Sequence, residues 1–323
     1  MLGAGAWGTA LAISFSANHA VCLWGRDAAQ IGETASAREN RRYLPGLQLP
    51  REIVLSADLQ TALGGADLVL VVVPTKALRA TVASAGAIAR DVPLVWACKG
   101  FEQGTSCLPH QVVIQTLGEN AACGAVSGPS FAEEVAAGKP AALTLASRDA
   151  ALADCLAKLL HSPRLRVYSN TDLIGVELGG AVKNVMAIAV GISDGLGLGH
   201  NARAALITRG LAEMARLGMA MGGKAETFMG LTGLGDLVLT CTGDLSRNRR
   251  VGLALARGDS IDTILAQLGH VAEGVNTAPE VARMAQRLAI EMPITAAVCA
   301  VIAGRLAPIE AVEALMSRDA KAE

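Results

Sequence analysis

Three stretches in the second half of the chain carry residue types whose spacing suits proton transfer and anion binding. Lys183 and Asn184 stand inside the apolar, small-residue run GGAVKNVMAIAVGISDG, from Gly179 to Gly195. A charged amine in such a helix must find a counter-charge, give up its proton or serve a reaction, because an unpaired buried charge is costly. The competing reading is a lysine that snorkels to the surface from the helix edge. Asp236 follows the glycines at 230, 233 and 235 and precedes an apolar run. An acid there is either a helix cap or the partner of a buried cation. Ser246-Arg247-Asn248-Arg249-Arg250 opens a helix, and a helix start with Arg and Asn side chains is suited to a phosphate. A solvated basic face is the alternative there.

The amino-terminal stretch offers a different chemistry. Gly3-Ala4-Gly5-Ala6-Trp7-Gly8 fits GxGxxG and leads into a helical run, Thr9 to Ser16, and then a strand-like run, Ala20 to Asp27. In that order the glycines form a tight turn, and backbone N–H groups at the helix start meet the pyrophosphate of a dinucleotide. The residue closing the second strand discriminates between cofactors. An acid bonds the ribose 2′-hydroxyl of NAD, whereas a base accommodates the 2′-phosphate of NADP. Here Arg26 precedes Asp27, which favours acceptance of NADP without excluding NAD. Asp27 is equally suited to capping the next helix.

Further elements must position these groups. Ile53 to Leu55, Asp67 to Pro74, Pro93 to Gly100, Ala122 to Ser127, Ala141 to Ala146 and Arg166 to Ser169 read as strands of a buried parallel sheet. Ligands in such sheets lie beyond the carboxyl ends of strands. Lys99, at one strand end, is therefore placed to meet an anion. Gly128 and Ser130 follow another strand, and Ser130 is expected to cap the helix FAEEVAAG, contact with a ligand being the alternative. After Thr171 the strand pattern gives way to helical periodicity over 201–222, 251–257, 261–268, 278–288 and 309–316. The fold expected is α/β: a Rossmann-type parallel-sheet domain over residues 1–170, then an all-α domain over 171–323. The Gly195–Gly199 run follows no strand and reads as a loop, and Met214, Met219 and Met221 read as packing residues. Only Met1 and Leu2 precede Gly3, whereas a central strand spans about five residues. We therefore expect the natural chain to start several residues upstream.

Composition narrows the function classes. The net charge is −1, which argues against general attraction to nucleic acid or anionic membranes. Seven cysteines, odd in number and never spaced CxxC, fit a reducing, cytoplasmic setting and neither a disulfide framework nor a zinc site. The five histidines form no ligand cluster, so no metal is expected. The longest apolar candidate noted, Met292 to Gly304, is too short to span a membrane and reads as a buried helix. A homodimer is left open.

Taken together, these stretches resemble bacterial-type NAD(P)-dependent glycerol-3-phosphate dehydrogenases. The matching segments are GAGAWGTALA at the start, Lys99-Gly100, GPSFAEE at 128–134, the long run over 179–210, GLGDLVLTC at 233–241, SRNRR at 246–250 and VAEG at 271–274. They follow the family's order along essentially the whole chain, the short first strand being the one departure. The resemblance implies interconversion of sn-glycerol 3-phosphate and dihydroxyacetone phosphate, feeding glycerophospholipid synthesis. It implies Lys183 as catalytic acid/base. It places Lys99, Gly128, Ser130, Asn184, Asp236, Ser246, Arg247 and Asn248 at the substrate. Ala6, Trp7, Arg26, Lys99, Ala132, Arg247, Val271 and Glu273 would meet NAD or NADP, beside the glycine turn of Gly3, Gly5 and Gly8. Asn184 and Asp236 would orient Lys183.

Overall fold

The computed structural model describes residues 1–268 and 272–317. The chain forms two compact units, one comprising residues 1–99 and 107–176, the other residues 100–106 and 177 onward.

The first unit contains β1 (Cys22–Trp24), β2 (Val54–Ser56), β3 (Val69–Val71), β4 (Leu94–Trp96), β5 (Cys123–Ser127), β6 (Ala141–Ala146) and β7 (Leu165–Asn170). Its helices are α1 (Ala6–Phe15), α2 (Ala28–Ala37), α3 (Leu59–Leu63), α4 (Leu78–Ile88), α5 (Pro109–Leu117), α6 (Ala132–Ala136) and α7 (Ala150–Leu160). β1 pairs with β2, and β3 to β7 pair in sequence order. Leu2 links the two sets, bridging Trp24 on one side and Val71 on the other, parallel to both. Its backbone donates to the Leu70 carbonyl at 2.7 Å and accepts from Val72 N at 2.7 Å. All pairings are parallel except β5 with β6, so the expected parallel sheet carries one antiparallel step. The link between those two strands holds only the short α6, which returns the chain as a hairpin does instead of crossing over.

Alternation along the strands divides the core. Val69, Val71, Leu94 and Trp96 face α4 and α5, while Leu70 and Val95 face α1 and α7. Both faces being covered explains the continuous apolar runs of β3 and β4.

The second unit is helical. It holds most of α8 (Leu173–Gly195), then α9 (Gly199–Ala220), α10 (Ala225–Phe228), a π-helical turn (Leu231–Gly235) and α11 (Asp236–Thr242). α12 (Arg247–Ala256), α13 (Ile261–Leu268), α14 (Glu273–Arg287), α15 (Pro293–Ile302) and α16 (Pro308–Met316) follow. α14 starts five residues before the expected helix and carries Pro279 inside it. The Gly274 N–H is held by the Asn248 side chain at 3.0 Å, which supports this earlier turn. Of the expected Gly195–Gly199 loop, only residues 196–198 connect the helices; Gly195 ends α8 and Gly199 begins α9. Met214 is fully buried, whereas Met219 is half exposed and does not pack as expected.

α8 is the helix the others pack around. It exceeds the Met292–Gly304 run in length and is the described helix long and apolar enough to cross a membrane by composition. In this fold 89% of its apolar window is buried inside the protein. α12 approaches it at glycines. A methyl group at Gly191 would strike the Arg249 carbonyl, and one at Gly252 the Ile188 carbonyl. Gly252→Ala is therefore expected to destabilise the protein by about 1–3 kcal/mol, the scale of overpacking. Gly32→Ala, on an exposed turn of α2 where a methyl meets nothing, should raise stability by about 0.5–1 kcal/mol. Urea unfolding of both variants checks the contrast; equal effects would refute the close-packing argument.

Candidate functional site

In the first unit the glycine turn has the form a dinucleotide requires. Gly3 has φ +124°, in the region that favours glycine, and a side chain there would press on the Val72 backbone. At Gly5 an added methyl meets nothing within 4 Å, so the backbone faces open space. Gly5 also begins α1 without a side-chain cap or an acid in the first turn. The N–H groups of Ala6, Trp7 and Gly8 thus lack intrahelical acceptors and carry the positive end of the helix. Ala6, Trp7 and Ala132 come together around Ala10, Leu44 and Val135.

The turn is braced from behind. The Ala4 carbonyl accepts from Gln30 Nε2 at 3.0 Å and from Asn40 Nδ2 at 3.0 Å. Asn40 also donates to Thr9 Oγ1 at 2.8 Å. All three side chains are buried. Neither Gln30, on α2, nor Asn40, in the loop after it, belongs to a motif, and nothing in their spacing signals a shared target.

At the end of β1, Asp27 caps α2, accepting from Gln30 N at 3.1 Å, and pairs with Arg42 at 3.5 Å. Arg26 is exposed. Lys99, half-buried, donates from Nζ to the Gly128 carbonyl at 3.2 Å. Ser130 Oγ donates to the same carbonyl at 3.0 Å. Two expected substrate residues therefore converge on the backbone oxygen of a third. The expected cap role of Ser130 is corrected: Phe131 holds the cap position of α6 and makes no side-chain cap bond. Ser130 sits one residue too early and its hydroxyl turns back onto the strand end.

In the second unit Lys183 is only 6% exposed and does not snorkel. Its Nζ donates to Asp236 Oδ1, and Asp236 is itself 1% exposed. Asp236 is thus the partner of a buried cation; it is the first residue of α11, whose cap position belongs to Gly235. Thr240 Oγ1 donates to the Asp236 carbonyl at 2.6 Å, fixing that turn. Gly179 lies against the Thr232 carbonyl so closely that a methyl would collide. The approach brings the π-helical turn, and with it Asp236, up to α8. Cys241 sits beside the pair, and burial pushes its thiol up to about 12 despite the Lys183 charge. It stays neutral and offers no rival counter-ion.

Asn184, next to Lys183 on α8, is buried and bonded on both sides. It donates to the Gly180 carbonyl at 3.3 Å and accepts from Asn248 Nδ2 at 2.9 Å. Asn248 Oδ1 in turn accepts from Gly274 N, so the two asparagines tie α8, α12 and the start of α14 together. Ser246 is buried and caps α12, accepting from Arg249 N at 3.2 Å. The arginines of this stretch diverge, since successive helical residues point about 100° apart. Arg247 is exposed, whereas Arg249 is mostly buried, bonded to Asp194 at 2.9 Å and Asp244 at 2.9 Å. Asp194 also takes Arg203 at 2.8 Å. Arg249 is therefore a brace between helices. Glu273, half-buried, begins α14 beside Gly274. Val271 lies outside the described residues.

Comparison with known proteins places this geometry in context. Residues 1–153 match the model for the NAD-dependent glycerol-3-phosphate dehydrogenase N-terminus and residues 172–313 that for its C-terminus. A glycerol-3-phosphate dehydrogenase (NAD(P)+) of Dechloromonas aromatica is 59% identical over 323 residues, covering 100% of this chain and 98% of that protein. One from Aromatoleum aromaticum is 58% identical over 324 residues, covering 100% and 99%. The crystal structure of glycerol-3-phosphate dehydrogenase from Coxiella burnetii superposes with a TM-score of 0.94 at 45% identity, covering 98% of each chain. With both halves matched and the two-unit architecture shared, the chain belongs to the NAD-dependent glycerol-3-phosphate dehydrogenase family.

Proposed function

We propose that the protein interconverts sn-glycerol 3-phosphate and dihydroxyacetone phosphate with NAD or NADP. The observation that carries this reading is the buried Lys183–Asp236 pair, a proton-bearing cation held in an otherwise apolar helix. Bound dinucleotide supplies or takes the hydride. In the reducing direction the substrate C2 carbonyl carbon gains the hydride while negative charge builds on its oxygen. Lys183 Nζ gives that oxygen a proton, forming the O–H bond as its own N–H bond breaks. In the oxidising direction the neutral amine takes the proton back. Asp236 holds the ammonium and fixes its direction. Uncompensated burial would strip the charge before substrate arrives.

In this reading the first turn of α1 holds the pyrophosphate, with Trp7, Arg26, Ala132, Val271 and Glu273 as further cofactor contacts. Arg247 and Lys99 meet the substrate phosphate, with Gly128, Ser130, Ser246 and Asn248 shaping its surroundings. Phosphate binding remote from C2 positions the carbonyl for transfer. The support for these assignments is the open backbone at Gly5, the exposed Arg247 at a capped helix start and the convergence of Lys99 and Ser130 on Gly128. A cytoplasmic enzyme supplying the glycerol backbone of phospholipids follows from the same reading.

The direct assay is oxidation of NADH and NADPH with dihydroxyacetone phosphate, and turnover is expected with both. No turnover there, with turnover on a 2- or 3-ketoacid, would transfer the protein to a hydroxyacid specificity. Lys183→Ala should lower kcat by about 10²–10⁴-fold while NADH binding changes less than about twofold. A variant that binds NADH normally and turns over at near the parent rate would refute the proton-transfer role. Since removing one member of a buried pair is destabilising, a melting curve accompanies that measurement. Arg247→Ala should raise KM for dihydroxyacetone phosphate by about tenfold or more, the scale of a lost charge-assisted contact. An unchanged KM would remove it from the phosphate site.

A further inference from the structure

The open backbone at Gly5 and the unopposed start of α1 fit a dinucleotide, but they say nothing of which one. The discriminating group must lie at the end of β1, where the ribose of the adenosine half is read. Asp27 is the acid there, and its carboxylate is already engaged, by Gln30 N as the cap of α2 and by Arg42.

Arg42 is delivered by a loop that is pinned at both ends. Asn40, fully buried, bonds the Ala4 carbonyl inside the glycine turn and Thr9 Oγ1 on α1. Leu44, 1% exposed, packs in the cluster that includes Ala6, Trp7 and Ala132. Tyr43 N at 3.3 Å and Leu44 N at 2.8 Å both return to Asn40. The apex of this turn is therefore fixed to the cofactor loop itself. Of its two cations, Arg41 is committed to Glu39 at 3.4 Å, and Glu39 is held by Gly46 N at 2.8 Å. Arg42 instead lies over the Tyr43 ring, 5.2 Å from its centroid, and reaches Asp27.

We propose that Arg42 is the residue that selects NADP, its guanidinium moving from Asp27 to the ribose 2′-phosphate. The inference rests on the dinucleotide reading above. An isolated carboxylate at this position would repel a dianionic phosphate and bond a 2′-hydroxyl. Arg42 cancels that charge while NAD is bound and offers a bidentate fork when a phosphate arrives. The exchange is easy because the Arg42–Asp27 pair is exposed on both sides, 61% and 47%, and such pairs contribute little to stability. The Tyr43 ring restricts the guanidinium to the neighbourhood it must serve. Arg26, exposed at the adjacent position, adds a second positive charge to the same region.

The test is binding, read by NADPH and NADH fluorescence titration of the full chain without substrate. Arg42→Ala should weaken NADPH about tenfold, the scale of one charge-assisted contact, and NADH less than about twofold. Arg42→Lys should recover most of the NADPH affinity, and Asp27→Asn, which still caps α2, should tighten NADPH. Unchanged NADPH affinity in Arg42→Ala, or equal weakening of both dinucleotides, overturns the assignment. If the unaltered protein binds both dinucleotides and only their ratio fails to respond, this assignment alone falls. If it binds neither, the dinucleotide reading falls with it.

Discussion

The buried ion pair of Lys183 and Asp236 is the constraint around which the helical unit is arranged. α8 has to be apolar because the residues from Val176 to Ile192 are buried. A lysine in that position is tolerated only if its counter-charge arrives with good geometry, since desolvating both ions costs several kcal/mol each. The surrounding structure supplies that geometry through backbone. Gly179 lets the π-helical turn lie directly on α8, and Asp236 begins the next helix with Thr240 bonded back onto it. A pair so placed adds little net stability compared with two apolar side chains of like volume. On the function proposed above, the pair instead keeps a transferable proton in an enclosed place.

The periodic parts of the fold were legible from the sequence alone. β6 was read to the residue, and β3, β4 and β5 lay inside the expected runs, because both faces of the sheet are covered and the strands stay apolar throughout. α13 was likewise bounded correctly. Irregular starts were harder. α14 begins where Asn248 captures Gly274, a bond between residues far apart in the chain that no local pattern encodes. The single antiparallel pairing of β6 was hidden for a similar reason, since strand composition does not record direction.

The candidate site shows the same division. Lys183, Asp236 and the glycine turn were visible because each is a residue type out of place in its neighbourhood. Ser130 and Asn184 stand out only by position, after a strand end and next to Lys183, and the structure gives each a local bond: Ser130 to the Gly128 carbonyl and Asn184 to Asn248. Gln30 and Asn40 went unnoticed because an amide in a polar stretch is ordinary until its target, the Ala4 carbonyl, is seen. Motif proximity finds the region of a site. It does not tell which members face the ligand and which hold the scaffold.

A chain with 3% aromatic residues and 35 glycines places its functional groups in an unusual way. Large side chains normally set the spacing between elements, and rotamers then carry polar groups to their targets. Here the spacing at the functional points is set by backbone against backbone or against short side chains. Gly179 meets Thr232, Gly274 meets the Asn184 carbonyl and the Asn248 side chain, and Gly252 meets Ile188. Backbone contacts have few alternative states, so the groups they carry are located with little freedom. That suits proton transfer, where misplacement by about 1 Å is heavily penalised in rate. It also explains why the polar network can be short: Asn248 reaches both Asn184 and Gly274 at hydrogen-bond distance only because no side chain at 274 stands between them. The glycines and the buried polar residues are thus one device, and neither would work without the other.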